Sequence, residues 1–104
     1  MDITRDQADD GAVVLRVTGD MDVDSAYRVP DEVAALFDGS RPAAVVLDLS
    51  GVTFLDSVGL GMLVRAQDEA AAQNAAFRLR APSAPVTRVL SITAMDTHFA
   101  TDPG

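Results

Sequence analysis

The sequence predicts an α/β fold: one domain with a mixed β-sheet of four to five strands and helices packed mainly on one face. Three observations carry this. Val13, Leu15 and Val17 alternate with Val14, Arg16 and Thr18, the period of two expected of a strand with one buried face. Residues 43–49, AAVVLDL, form a nearly continuous apolar run rich in branched side chains, as a central strand covered on both sides requires. Apolar residues then recur at helical spacing in three segments that alternate with the strands. The order strand, strand, helix, strand, helix, strand, helix implies parallel strands joined by right-handed crossovers.

Taken in order, residues 3–7 are the expected hairpin partner of the first alternating strand, across a turn at 8–11. Gly19 is the expected end of that strand, because the following DMDVDS is acidic and turn-prone. Ser25 is a candidate helix cap. Val29, Val33, Leu36 and Phe37 make one face of the first helix, Asp31 and Glu32 fall on the other side, and Gly39 supplies a stop. Pro30 fits only a first turn, which puts the start of the regular helix at Pro30 itself.

After the apolar strand, residues 50–56 read as a connection holding a hydrophobic plug of Val52, Phe54 and Leu55. A second helix spans residues 57–73, with Leu60, Leu63, Val64 and Ala71 facing the core and Arg65, Asp68 and Glu69 facing solvent. Phe77 and Leu79 alternate with Arg78 and Arg80 in a further strand. Pro85 opens a third helix with Val86, Val89, Leu90 and Thr93 on one side. The tail from about residue 97 is expected to be loosely held.

The 104 residues suit a single core. Hydrophobic residues make up 48% but aromatics only 5%, so that core is aliphatic. There is no cysteine, which removes thiolate metal sites, disulfides and cysteine chemistry. The net charge is -8 and every cation is Arg, so nucleic acid would bind against the protein's field and is not an expected partner. No run approaches the roughly 18 apolar residues of a membrane span, and the acidic N-terminus does not fit a signal peptide. A cytoplasmic, cofactor-free, metal-free monomer is the expectation, with no membrane partner.

The most informative stretch is residues 48–64, DLSGVTFLDSVGLGMLV, where a buried strand gives way to a helix opening at Asp56 and Ser57. It resembles the signature of STAS domains in bacterial anti-sigma-factor antagonists, in which an Asp-Ser pair, a small or apolar residue and then Gly-Leu open the second helix. GDMD at residues 19–22 matches their acidic turn, and SAPVTRVLSITAMDTHF resembles their last helix and its exit. The resemblance implies that Ser57 is phosphorylated by a partner that is both anti-sigma factor and serine kinase, and that a serine phosphatase removes the phosphate. It further implies that only the unphosphorylated protein captures the anti-sigma factor and frees sigma.

The residue types fit that role. A serine at a helix start presents its hydroxyl where the chain leaves the sheet. Val58, Gly59 and Gly61 leave the first turn lightly covered, which suits either close approach by a partner or close packing on the sheet. Asp56 presents Ser57 and caps or flanks the helix, while Asp20 and Asp22 either line the same surface or simply form an acidic turn. Asp48 reads as structural and His98 as a lone residue near a terminus. A hydrolase built on Ser57, His98 and an aspartate lacks a nucleophile elbow, a second His and an oxyanion donor beyond a helix start, so the chain does not read as an enzyme. The nearer alternative is a STAS interaction module of a transporter or stress-signalling complex. Two departures from the family pattern stand out: Pro30 inside the first helix, and Ala94 where a glycine often ends the last one.

Overall fold

The structure, a computed structural model, describes residues 1–8 and 10–102. Asp9 in the expected 8–11 turn, and Pro103 and Gly104 of the tail, lie outside the described residues. The elements run β1 (Asp2–Gln7), β2 (Ala12–Met21), α1 (Arg28–Ala35), β3 (Ala44–Leu55), α2 (Ser57–Ala72), β4 (Ala76–Arg80), α3 (Ala84–Ile92) and β5 (Ala100–Asp102). The sheet order is β1-β2-β3-β4-β5, with β1 antiparallel to β2 and every later pair parallel.

Because each crossover moves to the next strand and all turn the same way, the three helices must share one face of the sheet. The main core joins Val13, Leu15, Val17, Val45, Leu47, Leu49, Phe77 and Leu79 of the strands to Val29 and Val33 of α1, Leu60 and Leu63 of α2, and Val86 and Leu90 of α3. Ala12, Val14, Ala44 and Val46 form a smaller cluster from β2 and β3 alone, with Ala8 packed against it. Val14 is therefore buried too, which the alternation pattern alone did not anticipate.

Beside that cluster the sheet carries charge. Asp48, next to Arg16 in register, accepts from the Ser50 amide at 3.0 Å and the Ser50 hydroxyl at 2.7 Å. Arg16 Nε lies 3.6 Å from Asp48 Oδ2. Burial pushes the Asp48 carboxyl up, but the two Ser50 hydrogen bonds and the Arg16 charge outweigh it and hold the carboxyl below its ordinary range.

Several expected boundaries move. β2 does not stop at Gly19, where φ is 95°: the register on β3 shifts between Gly19 and Asp20, with Thr53 the extra residue in β3, and β2 continues to Met21. Asp20 then pairs with Phe54 and Met21 with Leu55, so most of the expected 50–56 connection is the end of β3. Phe54 is not part of a plug; its side chain is exposed. In α2 the buried stripe passes through Ala66 and Ala70, Val64 is partly buried and Ala71 is exposed. Thr93 is likewise exposed, its hydroxyl donating to the Val89 carbonyl at 2.6 Å.

Ser25 does not cap α1, which starts at Arg28 with Tyr27 at the N-cap and no side-chain capping bond. Pro30 is the third helical residue, still within the first turn, where its missing N–H leaves no helical bond unmade. α3 ends as glycine-terminated helices do despite Ala94: the Met95 amide donates to the Leu90 carbonyl at 2.9 Å and the Ala94 amide to Ser91 at 3.2 Å. Ala94 takes φ 56° to make this turn. Within the stretch expected to be loosely held, Phe99 is buried and β5 pairs with β4. Asp102 lies 3.1 Å from Arg78 Nε and 3.3 Å from Arg80 Nη2, anchoring that edge.

Candidate functional site at the start of α2

Ligands of open α/β sheets gather beyond the carboxyl ends of the strands, where the loops leave the sheet. Here the carboxyl ends of β2 and β3 meet the first turn of α2. Asp56 adopts an extended conformation, φ -110° and ψ -174°, and its carboxylate accepts from the Gly59 amide at 2.8 Å. The Leu60 amide donates to the Asp56 carbonyl at 2.9 Å, so Asp56 is the N-cap by both backbone and side chain. Ser57 is the first helical residue and is exposed, as is Val58. The Asp56 side chain caps Gly59, and the exposed Ser57 stands at the turn whose first amides have no helical carbonyl partner.

Gly59 and Gly61, open to two readings in the sequence, separate. A Cβ on Gly59 would come within 2.5 Å of the Met21 carbonyl oxygen and 2.6 Å of Leu55 Cδ1, so the absent side chain lets α2 press onto the end of β2. At Gly61 a Cβ would meet nothing within 4 Å. Gly59 is buried and serves packing, while Gly61 leaves open space on the helix surface.

The same contact brings the loop after β2 to the helix start. Thr53 donates its hydroxyl to Asp20 Oδ1 at 2.7 Å, tying the ends of β2 and β3 together by side chain as well as by ladder. Ser25, displaced from its expected capping role, donates to the Asp20 carbonyl at 3.0 Å and to Asp22 Oδ1 at 2.9 Å. Asp22 also accepts from the Asp24 amide at 3.1 Å, and its carbonyl receives the Ala26 amide at 2.9 Å. Asp22 thus organises the turn that leads into α1. The Ser25 hydroxyl holds the Asp22 carboxyl below the usual carboxylate range, with the loop amides of Asp24 and Ser25 adding to the effect.

Asp20, Asp22, Asp56, Ser57 and Val58 are therefore brought to one end of the sheet. His98 is not: it lies near Phe99, with ring centroids 5.1 Å apart, and its carbonyl accepts from Gln67 at 3.2 Å. Among the described residues no three His, Cys, Asp or Glu side chains gather as a metal site, and no helix is long and apolar enough to cross a membrane. Besides Ser25, Phe54 is a residue here that differs from its expected place. No local signal marked it: strict alternation puts Phe54 on the face of the buried Val52, and only the register shift against β2 separates the two.

The fold and this helix start define a STAS domain. Residues 4–101 match the family model described as Mlab, STAS domain, and the chain belongs to that family. It is 33% identical over 89 residues to the anti-sigma-F factor antagonist RsfB of Mycobacterium tuberculosis, covering 86% of this chain and 71% of RsfB. Its structure is similar to that of an anti-sigma factor antagonist from Mycobacterium paratuberculosis, with a TM-score of 0.82 and 28% identity over 99% of this chain and 86% of the other. The fold is shared also with unphosphorylated SpoIIAA, at TM-score 0.77 and 17% identity, over 98% and 89% of the two chains.

Proposed function

We propose that this protein is an anti-sigma-factor antagonist, switched off by phosphorylation of Ser57. The observation that carries the reading is the exposed Ser57 at the first position of α2, beside a carboxylate-capped helix start, in a chain with an anti-sigma-F antagonist as relative. The unphosphorylated protein binds an anti-sigma factor that is also a serine kinase and so releases the sigma factor; a serine phosphatase reverses the modification. The protein acts by binding and performs no catalysis itself.

The physics of the switch follows from the site. A phosphate adds about 1.5 to 2 negative charges near neutral pH. Within the free protein the first-turn amides and the positive end of the helix dipole accommodate that charge, so the fold survives. In a complex the dianion would stand beside Asp56 and the acidic loop of Asp20 and Asp22, where bulk, desolvation and like-charge repulsion act together. A loss of about 3 kcal/mol weakens affinity roughly a hundredfold. No large conformational change is needed.

The test is incubation with the anti-sigma kinases of the same genome and ATP, followed by mass spectrometry and by capture with Ser57→Asp. Phosphate on the wild type, none on Ser57→Ala, and loss of capture by Ser57→Asp is the expected set. Phosphate retained by Ser57→Ala would sink the assignment. The alternative wiring, a STAS module of a transporter or stress complex, predicts recovery of those components instead and indifference to Ser57→Asp.

A further inference from the structure

Among the described residues five large hydrophobic side chains stand out as exposed: Val23 at 64%, Tyr27 at 55%, Phe54 at 47%, Val58 at 40% and Ile92 at 76%. Single exposed apolar residues are ordinary on a protein surface and need no explanation. Their placement is not ordinary here. Val23 follows the end of β2, Tyr27 is the N-cap of α1, Phe54 is next to last in β3 and Val58 is the second residue of α2. Four of the five therefore stand at the end of the sheet that carries Ser57. Ile92 closes α3, a crossover helix that runs back from the carboxyl ends of the strands, and so lies at the opposite end.

We propose that Val23, Tyr27, Phe54 and Val58 form the apolar centre of the face that holds the partner, with Phe54 as its principal anchor. The partner surface that fits is an apolar recess rimmed by Arg or Lys. The inference rests on the functional reading above and adds what supplies the affinity and what chemistry the kinase must present.

Phe54 suits an anchor because its backbone is held. It pairs with Asp20 in the β2–β3 ladder, and its neighbour Thr53 bonds the Asp20 carboxylate at 2.7 Å. Val52 pairs with Gly19 and Phe54 with Asp20, so the register slips by one residue at Thr53; Phe54 thereby leaves the face of the buried Val52 and is exposed while Leu55 returns to the core. A pre-ordered aromatic loses little freedom on binding and buries a large area, the usual character of an interface hot spot. The rim is acidic. Asp20 and Asp24 are exposed and Asp22 partly so, and the nearby Arg28 is engaged with the Met1 carbonyl at 2.9 Å. On a chain of net charge -8, this end steers toward a basic partner. A phosphate on Ser57 would then enter a dry apolar centre, where a dianion is least tolerated.

The experiment measures binding of the full chain to each purified ATP-binding anti-sigma kinase of the same genome, by interferometry, for wild type, Phe54→Ala, Tyr27→Ala, Ile92→Ala and Ser57→Asp. Phe54→Ala should weaken the cognate complex at least about tenfold and Tyr27→Ala severalfold, with Ile92→Ala unchanged. Raising ionic strength should slow association of the wild type. Unchanged affinity of Phe54→Ala overturns the inference, while loss of capture by Ser57→Asp in the same series leaves the functional reading standing. If Phe54→Ala does not fold by thermal melting, Tyr27→Ala decides: severalfold weakening supports the inference and unchanged affinity overturns it. A wild type that binds none of the kinases overturns both.

Discussion

The Asp56 carboxylate accepts the Gly59 amide at 2.8 Å, and this one hydrogen bond closes the first turn of α2 beneath Ser57. Removing it should destabilise the fold and loosen the presentation of the hydroxyl together. Asp56→Ala is expected to cost about 1 kcal/mol, a fall of roughly 4 to 8 °C in melting temperature for a domain this size. Asp56→Asn keeps an acceptor at the cap and should stay near wild type in thermal melts. An alanine variant that melts with the wild type would mean that the cap contributes nothing.

Gly59 and Gly61 lie two residues apart in α2, one packed against β2 and one open, and should respond to alanine with opposite signs. At Gly59 the new methyl meets the Met21 carbonyl oxygen and Leu55 Cδ1, which forces α2 off β2 and costs about 1 to 3 kcal/mol. At Gly61 it meets open space, so helix propensity should stabilise the protein by about 0.5 to 1 kcal/mol. Urea denaturation of the two variants decides; destabilisation by both would show that Gly61 has a packing role the geometry does not reveal.

Ala94 holds φ 56° to complete the turn after α3, a conformation that costs an L-residue about 1 to 2 kcal/mol. Ala94→Gly relieves most of that, offset in part by the greater freedom of glycine in the unfolded chain. The expected net is a gain of about 0.5 to 1 kcal/mol, read as a higher midpoint in guanidinium chloride. No gain would indicate that the strain is already relaxed locally.

Asp48 should make the protein acid-sensitive in a defined window. Its folded pKa lies below the ordinary 3.8, so its contribution is complete above that value and is lost as pH falls through the lower folded pKa. Stability against pH should therefore decline below about pH 4. Asp48→Asn should flatten that decline, and an unchanged acid limb in the variant would assign the loss to other carboxylates.

How far the sequence could be read differs by element for a physical reason. The alternation of Val13, Leu15 and Val17, the apolar run 43–49 and the helical stripe through Leu60 and Leu63 are local periodicities, so they disclose element type directly. Strand ends are not local. β2 passes through the acidic GDM because an extra residue of β3, Thr53, shifts the register and keeps Asp20 and Met21 paired, and β3 extends to Leu55 because that partner is there to pair with. Ser25 looked like a cap from its neighbours alone; in the fold its hydroxyl goes to Asp20 and Asp22, which stand across the turn.

By itself the sequence determined the α/β class, the mainly aliphatic make-up of the core and the helix opening at Asp56 and Ser57, because hydrophobic periodicity and capping chemistry act over a few residues. Only the tertiary structure decided that Gly59 is a packing contact and Gly61 an open one, and that Phe54 is exposed at the end of the sheet that carries Ser57. Those outcomes depend on which atom of a distant segment arrives at each position. The Met21 carbonyl reaches Gly59 from the end of β2, and no local pattern encodes that distance.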